Sequence, residues 1–201
     1  AFTLQTPVAD TQIDMGTEQQ ASDEIKKIAL EFGAGLVGIT NYDNRWEYSR
    51  KFSDMSATSR PAEIPDTLNN VIVIAQPMDY ELVRTVPSAL SGSATGLGYS
   101  HDALTVLSLT QYIRNLGYEA IGSMNDTSLA IPYAIKAGLG EYGRHGLLIT
   151  PKYGPRIRLG KVYTNLPLAH DRPIRFGVKE FCDICRRCTK GCPVKAIPDG
   201  P

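Results

Sequence analysis

A single run of cysteines near the C-terminal end most constrains how this chain can fold. All four cysteines of the 201 residues lie in the motif Cys182-x2-Cys185-x2-Cys188-x3-Cys192-Pro193. A disulfide framework would spread its cysteines to join distant loops, so this clustering predicts a metal site. Two-residue spacings let successive thiolates converge on one iron–sulfur cubane, and the three-residue step before Cys-Pro is typical of a ligand to a second cluster.

The motif therefore predicts two [4Fe–4S] clusters, with Cys182, Cys185 and Cys188 binding the first and Cys192 binding the second. Structural zinc is the alternative, but zinc ligands usually come as two pairs separated by a longer loop. The sequence has no further cysteine to complete either cluster. We therefore expect the chain to be an internal piece of a longer protein that carries a second cysteine-rich run.

Composition places the rest of the chain among ordinary folded proteins. Hydrophobic residues make up 42% and charged residues 21%, and 21 basic side chains balance 21 acidic ones. A neutral chain gives no general reason to expect nucleic acid or an anionic membrane as a partner. No apolar run approaches the roughly 18 residues that a membrane-spanning helix needs, and the N-terminus lacks the pattern of a secretion signal.

Hydrophobic periodicity predicts alternating helices and short buried strands, which indicates a layered α/β core. Helices are predicted to begin near Ser22, to begin near Ser100 and to cover 129–137, and strands are predicted at 36–40, 71–75, 118–121 and 161–166. The segment 41–70 is predicted to be irregular, and the Gly- and Ser-rich segment 87–98 to be a flexible loop. The polar residues 1–20 are predicted to form a surface arm.

Three glycines match the spacing of a dinucleotide-binding fingerprint, at Gly138, Gly140 and Gly143. That fingerprint follows a strand and opens a helix. Here the glycines follow a predicted helix, and Arg144-His145-Gly146 is a poor helix start. A dinucleotide site is therefore not supported.

The glycine-rich stretch before the cysteines resembles a known enzyme family. The sequences AGLGEYGRHGLLITP (137–151), YGPRIRLG (153–160) and VYTNLPL (162–168) are similar to the segment that precedes the ferredoxin motif in respiratory reductive dehalogenases. LVGI (36–39) and NRW (44–46) also resemble that family. The resemblance extends roughly from Asp23 to the end of the chain.

The resemblance implies a nitroreductase-like α/β (α+β) domain at 21–170 that holds a base-off cobalt corrinoid. It implies that 171–201 begin a ferredoxin-like domain whose two [4Fe–4S] clusters pass electrons to cobalt. The enzyme would remove halide from a small organohalide. It would lie on the outer, periplasmic face of the cytoplasmic membrane after export through a twin-arginine signal. Its partners would be a small membrane-anchor protein and a respiratory electron donor, with no nucleic acid, and the resemblance allows a homodimer.

The resemblance also implies a catalytic tyrosine that donates a proton, an arginine that stabilises its phenolate and an asparagine in the substrate pocket. Chain order assigns these roles to Tyr99, Arg158 and Asn125. Tyr99 follows the predicted loop and precedes the predicted helix, and Arg158 lies just before the predicted strand at 161–166. Arg156 and Arg144 remain alternatives for the arginine. The family leaves cobalt without a protein ligand, so His145 is expected to be structural or to contact the corrinoid.

Two other functions remain open. An epoxyqueuosine-reductase-like enzyme would use related cofactors on a modified tRNA base, with an aspartic acid in place of the tyrosine and a basic surface for tRNA. A non-catalytic ferredoxin-type electron carrier would need no corrinoid. The neutral charge disfavours the first, and the large domain ahead of the cysteines disfavours the second.

Overall fold

The computed structural model of the chain describes residues 6–53 and 57–199, so the first five residues of the predicted arm lie outside the described part. The elements are α1 (Glu18–Glu31), β1 (Leu36–Asn41), β2 (Arg50–Ser53), β3 (Thr58–Pro61), β4 (Asn70–Pro77), α2 (Tyr80–Val83), α3 (Ala89–Asn115), β5 (Ala120–Ser123), α4 (Ala130–Lys136), β6 (Glu141–Tyr142), β7 (Leu148–Ile149), β8 (Ile157–Thr164), α5 (Val178–Cys185) and α6 (Arg187–Gly191). The fold is mixed α/β, as the sequence predicts. None of the helices described is long and apolar enough to cross a bilayer.

A four-stranded sheet organises the molecule, with the strand order β1-β4-β8-β5 and antiparallel pairing throughout. The side chains of β4 alternate between two apolar clusters because successive residues of a strand point to opposite faces. Ile72 and Ile74 pack with α1 and α3, whereas Val71, Val73 and Ala75 pack with α4. The prediction of a strand at 71–75 that is buried on both faces is confirmed.

The prediction of a flexible loop at 87–98 is wrong. Helix α3 begins at Ala89 after a capping box formed by Ser88 and Ser91, and it continues for 27 residues. The low helix propensity of its Gly and Ser residues is overridden by packing on β8, β5 and β4. Tyr99 therefore lies in the interior of a helix and not at its start.

Two other predicted boundaries are also wrong. Helix α1 begins at Glu18 because Thr17 and Gln20 form a capping box, and Ser22 is buried inside the helix, where its hydroxyl accepts from the backbone N–H of Ala169 at 2.8 Å. Strand β8 begins at Ile157 because it pairs with β4 along its whole length. Arg158 is therefore part of the strand and does not precede it.

The segment 41–70 is more regular than predicted. Strands β2 and β3 form a separate two-stranded sheet there, and Asn44–Trp46 form a 3₁₀ turn. The strand predicted at 118–121 is displaced to β5, and the helix predicted at 129–137 is confirmed as α4. As predicted, Gly138 follows this helix.

Candidate active site

The three residues that the resemblance assigned to catalysis meet at the hydroxyl of Tyr99. Tyr99 lies in the middle of α3, Asn125 in the loop between β5 and α4, and Arg158 near the start of β8. The Asn125 Nδ2 donates to the Tyr99 hydroxyl at 2.9 Å, and the Arg158 Nη1 donates to it at 3.3 Å. The Arg158 guanidinium also stacks on the Tyr99 ring, with Cζ 4.4 Å from the ring centroid.

Both hydrogen bonds use the Tyr99 oxygen as the acceptor, because an amide nitrogen and a guanidinium can only donate. The hydrogen of the phenol is therefore free to point towards a third partner. The same two donors would stabilise the oxygen more strongly if it carried a negative charge. Tyr99 is half-buried and Asn125 is exposed, so this hydroxyl can reach a molecule bound at the surface of the described chain.

The structure separates the three candidate arginines. Arg156 donates through Nη1 to the Met78 carbonyl at 2.7 Å, and its guanidinium stacks on Tyr80 at 5.0 Å. Arg144 pairs with Asp183 at 2.8 Å. Arg158 is the one of the three whose described contacts include Tyr99.

A buried lysine holds the loop that carries Asn125. Lys161 of β8 is fully buried, and its Nζ donates to the carbonyls of Met124 at 2.5 Å and Ser128 at 3.1 Å. Burial lowers the pKa of Lys161 to about 8, because a low-dielectric environment disfavours the ammonium charge. Sequence reasoning missed this residue, although a lysine between apolar strand residues is itself an unusual signal.

A buried carboxyl, also missed, lies one helical turn after Tyr99. Asp102 of α3 is 1% exposed, and burial raises the pKa of this carboxyl to about 7 although Lys161 and Arg158 oppose the shift. The signal in the sequence was an aspartate among the residues that face the sheet, such as Thr105, Val106 and Leu109.

The cysteines follow the sheet domain in two short helices. Cys182 and Cys185 lie in α5, Cys188 lies in α6 and Cys192 follows α6. All four are free and partly exposed. Across residues 6–53 and 57–199, no three or more His, Cys, Asp or Glu side chains are grouped closely enough to hold a metal ion. The predicted ligand sets therefore remain predictions.

The chemistry of these cysteines nevertheless fits iron–sulfur ligation. Backbone N–H groups at 194–197 hydrogen-bond towards the Cys192 sulfur and lower the pKa of its thiol, and the Ala196 nitrogen lies 3.3 Å from Sγ. Such donors favour the thiolate, which is the form that binds metal.

Glu141 joins the cysteine segment to the glycine-rich loop. Helix α5 begins after Gly177 without a capping side chain. Instead, the Glu141 Oε2 accepts from the N–H groups of Phe176 at 2.7 Å and Val178 at 3.2 Å. These hydrogen bonds lower the pKa of Glu141. The Arg144–Asp183 ion pair adds a second contact between the same two segments.

The hydrogen bond described for His145 lies within its own turn and does not involve Tyr99. The His145 Nδ1 accepts from the Leu147 N–H within the same turn at 3.2 Å, and burial lowers the pKa of the imidazole. The expectation that His145 is structural or contacts the corrinoid stays a prediction.

Comparisons with known proteins identify the family. The profile of the reductive dehalogenase subunit family matches residues 56–168, which is more than half of the chain. A solved reductive dehalogenase, described with a mechanism for B12-dependent dehalogenation, superimposes with a TM-score of 0.85 at 27% identity, covering 98% of this chain and 28% of that one. The chain therefore belongs to the reductive dehalogenase subunit family.

Within this family, the chain is 39% identical to the tetrachloroethene reductive dehalogenase of Dehalobacter restrictus (strain DSM 9455 / PER-K23). The alignment covers 90% of this chain and 39% of that protein, so the chain spans about two fifths of its relative. The epoxyqueuosine reductase from Streptococcus thermophilus superimposes with a TM-score of 0.53 at 20% identity, covering 88% of this chain and 53% of that one. That likeness extends to the fold alone.

Proposed function

We propose that this chain is the part of a reductive dehalogenase in which Tyr99 supplies the proton that replaces the halogen of a small organohalide. The observation that carries the proposal is the convergence of Asn125 and Arg158 on the Tyr99 hydroxyl. Membership of the reductive dehalogenase family supports it. The fold-level likeness to epoxyqueuosine reductase does not account for this arrangement around a tyrosine.

The proposed mechanism assigns one task to each of the three residues. A corrinoid bound in the whole protein would supply the two electrons that cleavage of the carbon–halogen bond to halide requires. Tyr99 donates its hydroxyl proton to that carbon, which forms the new C–H bond. Arg158 and Asn125 hold the resulting phenolate through hydrogen bonds that strengthen as charge develops on its oxygen. Water then returns a proton to Tyr99.

The cofactor proposal follows from the cysteine spacing and from the family. Cys182, Cys185 and Cys188 would bind a first [4Fe–4S] cluster and Cys192 a second, within a ferredoxin-like domain that follows a nitroreductase-like corrinoid domain. The remaining ligands would come from other parts of the protein, since the chain spans 39% of its relative. The B12-dependent mechanism described for a structural neighbour supports the corrinoid.

The cellular setting is proposed from the family resemblance. The protein would act on the outer face of the cytoplasmic membrane, with a small membrane-anchor protein and a respiratory electron donor as partners, and the resemblance allows a homodimer. Tetrachloroethene, the substrate in the name of a relative, defines the class of small organohalide to test first.

Tyr99→Phe tests the proposed proton donor. In the full-length protein loaded with its cofactors, this variant should lower kcat by at least about 100-fold, because a positioned general acid contributes at least that much. Cobalt and iron content should stay unchanged. Halide release from tetrachloroethene and metal analysis measure both quantities. Tyr112→Phe, at a partly exposed tyrosine near the C-terminal end of α3 whose hydroxyl donates to Glu24, is the control and should retain activity. Undiminished turnover by Tyr99→Phe would remove Tyr99 from the mechanism.

A further inference from the structure

Three unsatisfied polar atoms lie behind the Tyr99–Arg158 contact. Within the part of the chain that the structure describes, Gln76 Oε1, Asp102 Oδ1 and Arg158 Nε are buried without a hydrogen-bond partner. Gln76 and Asp102 are only 6% and 1% exposed as residues. Leaving a buried polar atom unpaired is costly, so three such atoms in one region indicate that a group able to bond them belongs there.

The fold places these atoms on the same face of the sheet. Gln76 of β4 and Arg158 of β8 are direct cross-strand partners, so their side chains leave the sheet on one side. Asp102 approaches that side from α3. A Cβ atom built on Gly160, the next residue of β8 on this face, would lie only 2.5 Å from Asp102 Oδ1.

Two glycines allow α3 and the side chains on this face to pack closely together. A Cβ built on Gly98 of α3 would lie 3.2 Å from Arg158 Cγ, so larger residues at 98 and 160 would push the helix or these two side chains away. The charged groups that act on Asp102 here are Arg158 and Lys161, both from β8. Gln76 of β4 supplies an uncharged polar side chain to the same region.

The three atoms are chemically complementary to one water molecule. Gln76 Oε1 and Asp102 Oδ1 are acceptors, whereas Arg158 Nε carries a hydrogen and is a donor. A water molecule can donate to both oxygens while it accepts from the Nε–H. Three hydrogen bonds to otherwise unsatisfied groups are typical of buried structural water.

We propose that a buried water bridges Gln76, Asp102 and Arg158 and that Asp102 and Gln76 are thereby positioning residues for the Arg158 guanidinium. Its flexible side chain is then held at two points, by the water at Nε and by Tyr99 at Nη1, where the distance is 3.3 Å. The consequence for turnover rests on the proposed role of Tyr99, but the water site itself does not.

A high-resolution crystal structure of the full-length protein tests the site directly. We expect ordered density within hydrogen-bond distance of Gln76 Oε1, Asp102 Oδ1 and Arg158 Nε. A dry site, or a direct bond between Asp102 and Arg158, would overturn the proposal. This readout does not depend on activity, so it stays informative if Tyr99→Phe shows that Tyr99 is not the proton donor.

Variants of Asp102 test the positioning role. Asp102→Leu removes the acceptor, so in its crystal structure the water should be lost and Arg158 displaced from Tyr99. Its kcat should fall by at least about tenfold, because small misplacements of a catalytic group are costly, while KM changes much less. Asp102→Asn keeps an acceptor oxygen of the same shape and should restore both the water and most of the kcat.

Two further variants separate positioning from general damage to the core. Gln76→Met removes the second acceptor at similar volume and should reproduce the effect of Asp102→Leu in weaker form. Thr110→Val alters another fully buried polar residue of α3, whose hydroxyl donates to the Val106 carbonyl, and should leave kcat unchanged. Unaltered Arg158 geometry and unaltered kcat in both Asp102→Leu and Gln76→Met would contradict the positioning role.

Discussion

At the scale of single residues, Asp102 connects the chemistry of the site to the stability of the fold. Its carboxyl is buried beside the sheet, and its pKa rises from 3.8 to about 7 because burial disfavours its charge. The folded protein therefore binds this proton over a pH range in which the unfolded chain has released it. The resulting contribution to stability is fully present below pH 3.8 and is lost as the pH rises through about 7.

Asp102→Asn should reveal this linkage, because an amide does not titrate. The unaltered protein should lose stability as the pH rises from 5 to 8, because the buried carboxyl ionises, whereas the variant has no such group. The unfolding midpoint of the variant relative to that of the unaltered protein should therefore be higher at pH 8 than at pH 5. The thermal-unfolding midpoints of both proteins at the two pH values provide the measurement. An equal difference between the midpoints at pH 5 and pH 8 would contradict the assignment of this proton to Asp102.

At the scale of elements, some glycines are required for two elements to pack closely, whereas others face open space. A Cβ built on Gly38 of β1 would lie 2.2 Å from the carbonyl oxygen of Ala137, at the end of α4. A Cβ built on Gly92 of α3 would meet nothing within 4 Å. The same substitution is therefore expected to have opposite effects at the two positions.

Gly38→Ala should lower the free energy of unfolding by about 3 kcal/mol, because overpacking forces β1 and α4 apart. Gly92→Ala, its matched control, should raise that free energy by roughly 0.5–1 kcal/mol, since alanine has the higher helix propensity. Thermal unfolding of the two variants measures the difference. If both glycines behave alike, the proposed close contact between β1 and α4 is wrong.

At the scale of the whole molecule, Glu141 is one of the contacts that attach the cysteine segment to the sheet domain. Gly177, the N-cap residue of α5, has no side chain to accept a capping hydrogen bond, and the Glu141 carboxylate accepts from the neighbouring N–H groups instead. Glu141→Ala leaves these N–H groups without a protein acceptor and should weaken the attachment by about 1 kcal/mol, the typical effect of losing a cap. Hydrogen exchange of the α5 amides in the full-length protein should become roughly fivefold faster.

The control for this prediction is Glu63→Ala, at an exposed glutamate before β4. It should leave the exchange of α5 unchanged. Exchange rates that are equal in Glu141→Ala and in the unaltered protein would show that α5 is held by other contacts, of which the Arg144–Asp183 ion pair is the first to test.

The sequence predicted what neighbouring residues encode together. The spacing of Cys182 to Cys192 predicts a thiolate ligand set without reference to the rest of the fold. The apolar run at 71–75 predicted the central strand because such residues require burial on both faces. The family resemblance named Tyr99, Asn125 and Arg158, but it left Arg156 and Arg144 as alternatives.

Only the tertiary structure decided what depends on residues far apart in the chain. The sequence alone could not show that packing on the sheet makes the Gly- and Ser-rich segment a helix, or that β8 begins early enough to include Arg158. The register of β4 and β8 places Gln76 beside Arg158, and α3 brings Asp102 over both strands. Spacing along the chain encodes local ligand sets, whereas burial and hydrogen bonding at the Tyr99 site arise from contacts that form only when these elements pack together.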